Sequence, residues 1–152
     1  VSNGTVRTRL IRWLCAVAIA HLLAGLTLTL MAHLPMFENY HHGIEQAFWP
    51  HGVPAESRPQ QVWWIRLFGA TLQFVAVLML AMVRVADRVR RAEPWGWLIA
   101  GLLLWAPQDM AISASAGIWV HVAIDAVALL VLLPPLVWLY RHDGKALRQQ
   151  TA

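Results

Sequence analysis

The sequence predicts an all-α integral membrane protein, a four-transmembrane-helix bundle with a short amphipathic interfacial helix between helices 1 and 2. Three observations carry that expectation. Of the 152 residues 59% are hydrophobic and only 13% charged, where soluble domains hold about a quarter charged residues. Four apolar runs reach the ~20 residues that a helix needs to cross ~30 Å of hydrocarbon. The basic residues behind the net charge of +4 gather at the ends of those runs. That pattern belongs to a membrane surface and excludes nucleic acid as the partner.

The chain reads as one membrane domain over 1–152, with the first span at about 10–34. Small residues at Ala16, Ala18 and Ala20 follow Arg12 too closely for a cleavable signal peptide, and the apolar run continues to Leu34, so this segment is expected to stay as a span. The interfacial helix follows at about 35–49. Pro35 suits a first helical position and Pro50 ends the run. Phe37, Tyr40, Ile44, Ala47 and Phe48 share one face at helical spacing; Glu38, His41, His42 and Glu45 share another. The aromatic face is expected to meet lipid or bundle and the polar face water. A loop through Gly52, Pro54 and Pro59 leads to the second span at about 62–83. The third runs over about 95–113 and the fourth over about 118–140.

Orientation follows from charge. Arg7, Arg9 and Arg12 precede span one; Arg84, Arg88, Arg90 and Arg91 join spans two and three; Arg141, Lys145 and Arg148 follow span four. Ten of the twelve basic residues thus fall on one side, leaving Arg58 and Arg66 for the other. The positive-inside rule puts both termini in the cytoplasm, and a bacterial inner membrane is the expected location. Trp13, Trp95, Trp97 and Trp138 fall at that boundary, while Trp49, Trp63, Trp64 and Trp119 fall at the opposite one. They form the two aromatic belts of a spanning protein, with Trp105 alone deep in a span.

Ionisable groups inside spans are costly, so each is a candidate for function. Arg66, Ala70 and Gln73 share a face of span two, Gly101, Trp105 and Asp109 one of span three, His121 and Asp125 one of span four, and His21, Gly25, Thr29 and His33 one of span one. By depth, Arg66, Asp109, His121 and Asp125 converge in the outer half, Gln73 falls near the midplane, and the cytoplasmic half is almost wholly aliphatic. Two accounts stand. Arg66 bridges Asp109 or Asp125 as a structural network, or Arg66, Gln73, Asp109, His121 and Asp125 line an outward-facing pocket. In the second, Arg66 binds an anionic or carbonyl group and the His–Asp pair handles a proton. Pro107 frees the Leu103 carbonyl, and Pro134 and Pro135 free those of Leu130 and Val131, which neighbouring groups or water must then satisfy.

Glu38, His41, His42 and Glu45 form a weak metal candidate. Without a spacing such as His-Glu-x-x-His they read first as a solvated face. Cys15, the single cysteine, offers neither a disulfide nor a thiolate site. Haem needs two histidines at one depth, a condition that His33 and His121 meet. No Gly-x-Ser-x-Gly step, phosphate loop or internal repeat occurs. In size, number of spans and an Arg-x-x-Gly step from Arg66 to Gly69 the chain resembles the small four-helix bacterial membrane proteins of the DoxX-like kind, a likeness of architecture that carries no activity. The expected function is a binding or accessory subunit whose pocket takes a lipid, a quinone or a partner membrane protein, within a larger complex or a homo-oligomer. The alternative is a redox subunit linked to quinone or haem.

Overall fold

A computed structural model describes the backbone of residues 3–150 and the side chains of residues 4–145. Arg148, counted above with the basic cluster after span four, lies outside the described side chains. The described residues form helices and turns with no strand: α1 (Asn3–Met31), a 3-10 turn (Pro35–Phe37), α2 (Glu38–Phe48), α3 (Ser57–Val89), α4 (Glu93–Ser115) and α5 (Trp119–Gln150). Four of these helices are long and apolar enough to cross a membrane: 4–31, 57–89, 93–115 and 119–145.

The helices outrun the apolar runs that announce them. α1 begins seven residues before the expected span and stops at Met31, because Pro35 cannot donate to that turn and the chain bends through a 3-10 turn instead. α3 starts at Ser57 and ends where Arg90 takes a left-handed conformation (φ 50°, ψ 41°) and donates its N–H to the Ala86 carbonyl at 3.0 Å. Gly117, at φ +73°, makes the α4–α5 turn, where a side chain would be strained.

α1 packs mainly along α3, and α4 along α5. Backbones approach closely in the first pair. A Cβ on Gly25 would sit 2.6 Å from the Gly69 carbonyl, and one on Gly69 2.7 Å from Thr29 N. Small residues permit this close approach, and packing and hydrogen bonds then hold the two helices together. The apolar core that unites the two pairs lies at the end bearing the termini, with Leu14, Val17, Val83, Trp95, Leu136 and Leu139 at its centre. There Trp13 Nε1 donates to the Val131 carbonyl at 3.3 Å, the group that Pro135 leaves without its helical donor.

That same end holds a buried ionic network just beyond the expected spans, built on two aspartates, Asp87 and Asp143, to which the sequence assigns no role. Arg7, 5% exposed, reaches across the bundle. Its Nε and Nη2 donate to Asp143 at 3.0 and 3.1 Å, and its Nη1 to Asp87 at 2.6 Å. Trp95 Nε1 donates to Asp143 at 2.9 Å. Trp95 is therefore fully buried rather than part of an interfacial belt. Arg7 forks onto a carboxylate instead of facing lipid head groups.

Candidate functional site at the α2 end

The polar face of α2 divides: Glu38 and His42 are exposed as expected, while the other half packs inward. His41 and Glu45 are buried, and Phe48 is exposed. The reason is Arg58, on the first turn of α3. Its Nε and Nη2 clamp Glu45 at 2.9 and 3.0 Å, and its Nη1 donates to Glu38 at 2.6 Å. Gln61 Nε2 donates to Glu45 at 3.3 Å, and the ring nitrogens of His41 sit 3.2 Å from Gln61 Oε1 and 2.8 Å from the Ala32 carbonyl. A periodic pattern distinguishes two faces but cannot say how far each packs, and the bidentate pair with Arg58 draws His41 and Glu45 of the polar face inward while Glu38 and His42 stay exposed. The Arg58 hydrogen bonds hold the carboxyls of Glu45 and Glu38 below the usual glutamate range. His42 bridges the same two glutamates at 3.1 and 3.2 Å. Among the described residues no three His, Cys, Asp or Glu side chains converge as a metal shell.

Anchored in this way, α2 brings Tyr40 onto the second helix pair. Tyr40 Oη lies 2.7 Å from His121 Nε2, and the two rings stack at a centroid distance of 5.6 Å. Burial, then the charge of Asp109, pushes the Tyr40 phenol above its ordinary range, so its hydroxyl keeps its proton. Asp109 lies at the α4–α5 contact with Ser113 one turn on, Ser113 Oγ being 3.5 Å from Asp109 Oδ1. Asp125, one turn beyond His121 on α5, interacts electrostatically with both Asp109 and His121.

Asp125 is the unusual member. It is 4% exposed, and its Oδ2 is one of two buried side-chain polar atoms without a hydrogen-bond partner among the described residues, the other being Ser57 Oγ. A lone hydroxyl costs little. A buried carboxyl without a donor is far more expensive, and it is the kind of group that a ligand, a proton or a water satisfies.

Of the five expected site residues, Asp109 and His121 both lie within electrostatic reach of Asp125. The other two do not join them. Arg66 is exposed, and its Nε donates to the Thr29 carbonyl at 2.9 Å. It forms no ion pair with either aspartate among the described residues, which corrects the expected bridge. Arg66 sits on α3, whose stripe of buried residues packs on α1, and its long side chain reaches the nearest free carbonyl there. Gln73 Nε2 donates to Thr29 Oγ1 at 2.9 Å and to the Gly69 carbonyl at 3.3 Å, sealing the α1–α3 seam. Tyr40 and Ser113 are the members that sequence reasoning missed. Tyr40 reads as one aromatic on an apolar face, and only the anchoring of α2 turns it inward. Ser113, one turn after Asp109, carried a local signal.

No family model, curated protein or solved structure matches the chain, so its function rests on its own geometry.

Proposed function

We propose that the chain is a small multi-pass protein of a bacterial inner membrane, with both termini cytoplasmic, that serves as a binding or accessory subunit. Its site is the cluster of Asp109, His121 and Asp125, roofed by Tyr40 and opening toward the outer side. The charge asymmetry supports that orientation, with ten of twelve basic residues at one end. The observation that carries the binding role is Asp125, a buried carboxyl whose Oδ2 has no hydrogen-bond partner among the described residues.

With Arg66 turned away, the cluster offers carboxyl oxygens and a His–Tyr pair but no guanidinium. The ligand it suits is a hydrogen-bond donor: the hydroxyl of a quinol, the donor group of a lipid head, or a polar side chain of a partner membrane protein. The test is native mass spectrometry of the protein purified in mild detergent, beside Asp125→Asn. A lipid, quinone or protein retained by the unmodified chain and lost from the variant supports the reading. A chain that emerges bare in both sinks it.

The redox alternative keeps a quinone at this same site and loses its haem. His33 is exposed, and His121 Nε2 is engaged by Tyr40. A visible spectrum of the purified protein separates the two, since a Soret band would restore haem.

A further inference from the structure

The α3–α4 junction at the terminal end holds a second feature. The left-handed turn at Arg90 joins α3 to α4 in three residues, 90–92. Beside it lies a hollow of about 450 Å³, lined by Met82, Val85, Val89, Arg91, Glu93, Pro94 and Trp97. Met82, Val85, Val89, Pro94 and Trp97 give it an apolar wall, and Val85, Val89 and Trp97 are all exposed, Trp97 by 66%. Such surface is stable against hydrocarbon, with a tryptophan where tails meet heads.

The arginines of this junction lack ionic partners among the described residues. Arg84, Arg88, Arg90 and Arg91 are all exposed. Asp87, the one carboxylate within α3 nearby, is taken by Arg7. Within the hollow Glu93 balances Arg91, and the positive excess comes from Arg84, Arg88 and Arg90, which belong to the same end of α3 and its turn into α4. Guanidinium forks match phosphate oxygens, and basic residues at a membrane surface draw anionic head groups.

We propose that this hollow seats an anionic phospholipid, its phosphate on Arg91 and its first acyl carbons along Met82, Val85 and Val89, with Trp97 as the side wall. Free phosphate would use the arginines and leave the apolar wall idle. A zwitterionic lipid would use the wall and leave the charge excess unmatched. Only a lipid with net negative charge meets both, and the site stands apart from the Asp125 cluster.

The test is native mass spectrometry of the full chain in detergent, titrated in turn with phosphatidylglycerol, with phosphatidylcholine of the same acyl chains, and with inorganic phosphate. Phosphatidylglycerol should be retained severalfold better than phosphatidylcholine, and phosphate alone not at all. Arg91→Gln should lower that retention roughly fivefold, the usual weight of one basic residue at a membrane surface. Trp97→Ala should lower it as well, while Arg12→Gln, at an exposed arginine on α1, should leave it unchanged. Both variant sites are solvent- or lipid-exposed, so the fold should survive, and if one variant fails to fold the other still decides. Equal retention of the two lipids, binding of phosphate alone, or an equal loss in Arg12→Gln would overturn the proposal.

Discussion

The two ends of the bundle each bury aspartate, and they treat it in opposite ways. At the terminal end Asp143 receives two donors from Arg7, one from Trp95 and a contact from His142 at 3.0 Å. At the α2 end Asp125 is buried almost as deeply, and among the described residues its Oδ2 receives none. A satisfied ionic network costs little once formed and holds helices in register; an unsatisfied carboxyl is a standing cost that folding alone does not explain. The contrast separates a structural pin from a candidate site more sharply than depth in the membrane does.

The largest effect should come from breaking the satisfied end. Arg7→Leu strands Asp143 and should cost ~3–5 kcal/mol, read as a lower unfolding midpoint in detergent. Adding Asp143→Leu should recover much of that loss. If Arg7→Leu alone is neutral, the network is not the pin described here.

Next comes the α1–α3 seam. Gly69→Ala places a Cβ within 2.7 Å of two backbone atoms of α1, and neither backbone can yield without parting the helices. A loss of ~1–3 kcal/mol is expected, with Gly101→Ala, whose Cβ would meet nothing within 4 Å, as the neutral control.

Asp125 should behave with the opposite sign. Asp125→Asn keeps the shape and removes the chance of a buried charge, so unfolding should stay level or rise by ~1 kcal/mol, while ligand retention falls. A stability loss as large as that of Arg7→Leu would make Asp125 structural and erase the contrast.

The clamp on α2 responds to pH. Its glutamates have folded-state values below the ordinary one, about 4.3, because Arg58 bonds their ionised form. Their contribution is therefore complete above the ordinary value and is lost as pH falls through the lower folded-state value. Hydrogen exchange of the α2 amides should show protection from this clamp that is steady between about pH 5 and 7 and falls below about pH 4. Arg58→Gln should lower α2 protection by ~1 kcal/mol at neutral pH and flatten that acid step. The smallest effect is expected at Arg66. Exposed and bonded to one backbone carbonyl, Arg66→Leu should change stability by no more than ~0.5 kcal/mol; a loss of several would revive the bridge to the aspartates.

The sequence by itself determined the four long apolar helices, the short amphipathic helix between the first two and the basic end, because length, hydropathy and periodicity are local quantities that the chain carries along itself. It also singled out Asp109, His121 and Asp125, since a charge inside an apolar run is visible without any fold. Only the tertiary structure decided which partners those charges meet. Arg66 and Arg7 look alike as arginines near apolar runs, yet one reaches a carbonyl of its neighbouring helix and the other spans the bundle to two aspartates. Helical spacing gives a residue its face and depth but not the rotation of its helix against the others, and a long guanidinium arm settles on whichever acceptor that rotation brings near. The same limit applied to α2: its two faces were legible, but the burial of His41 and Glu45 waited for Arg58, thirteen residues past Glu45, to fold back onto it.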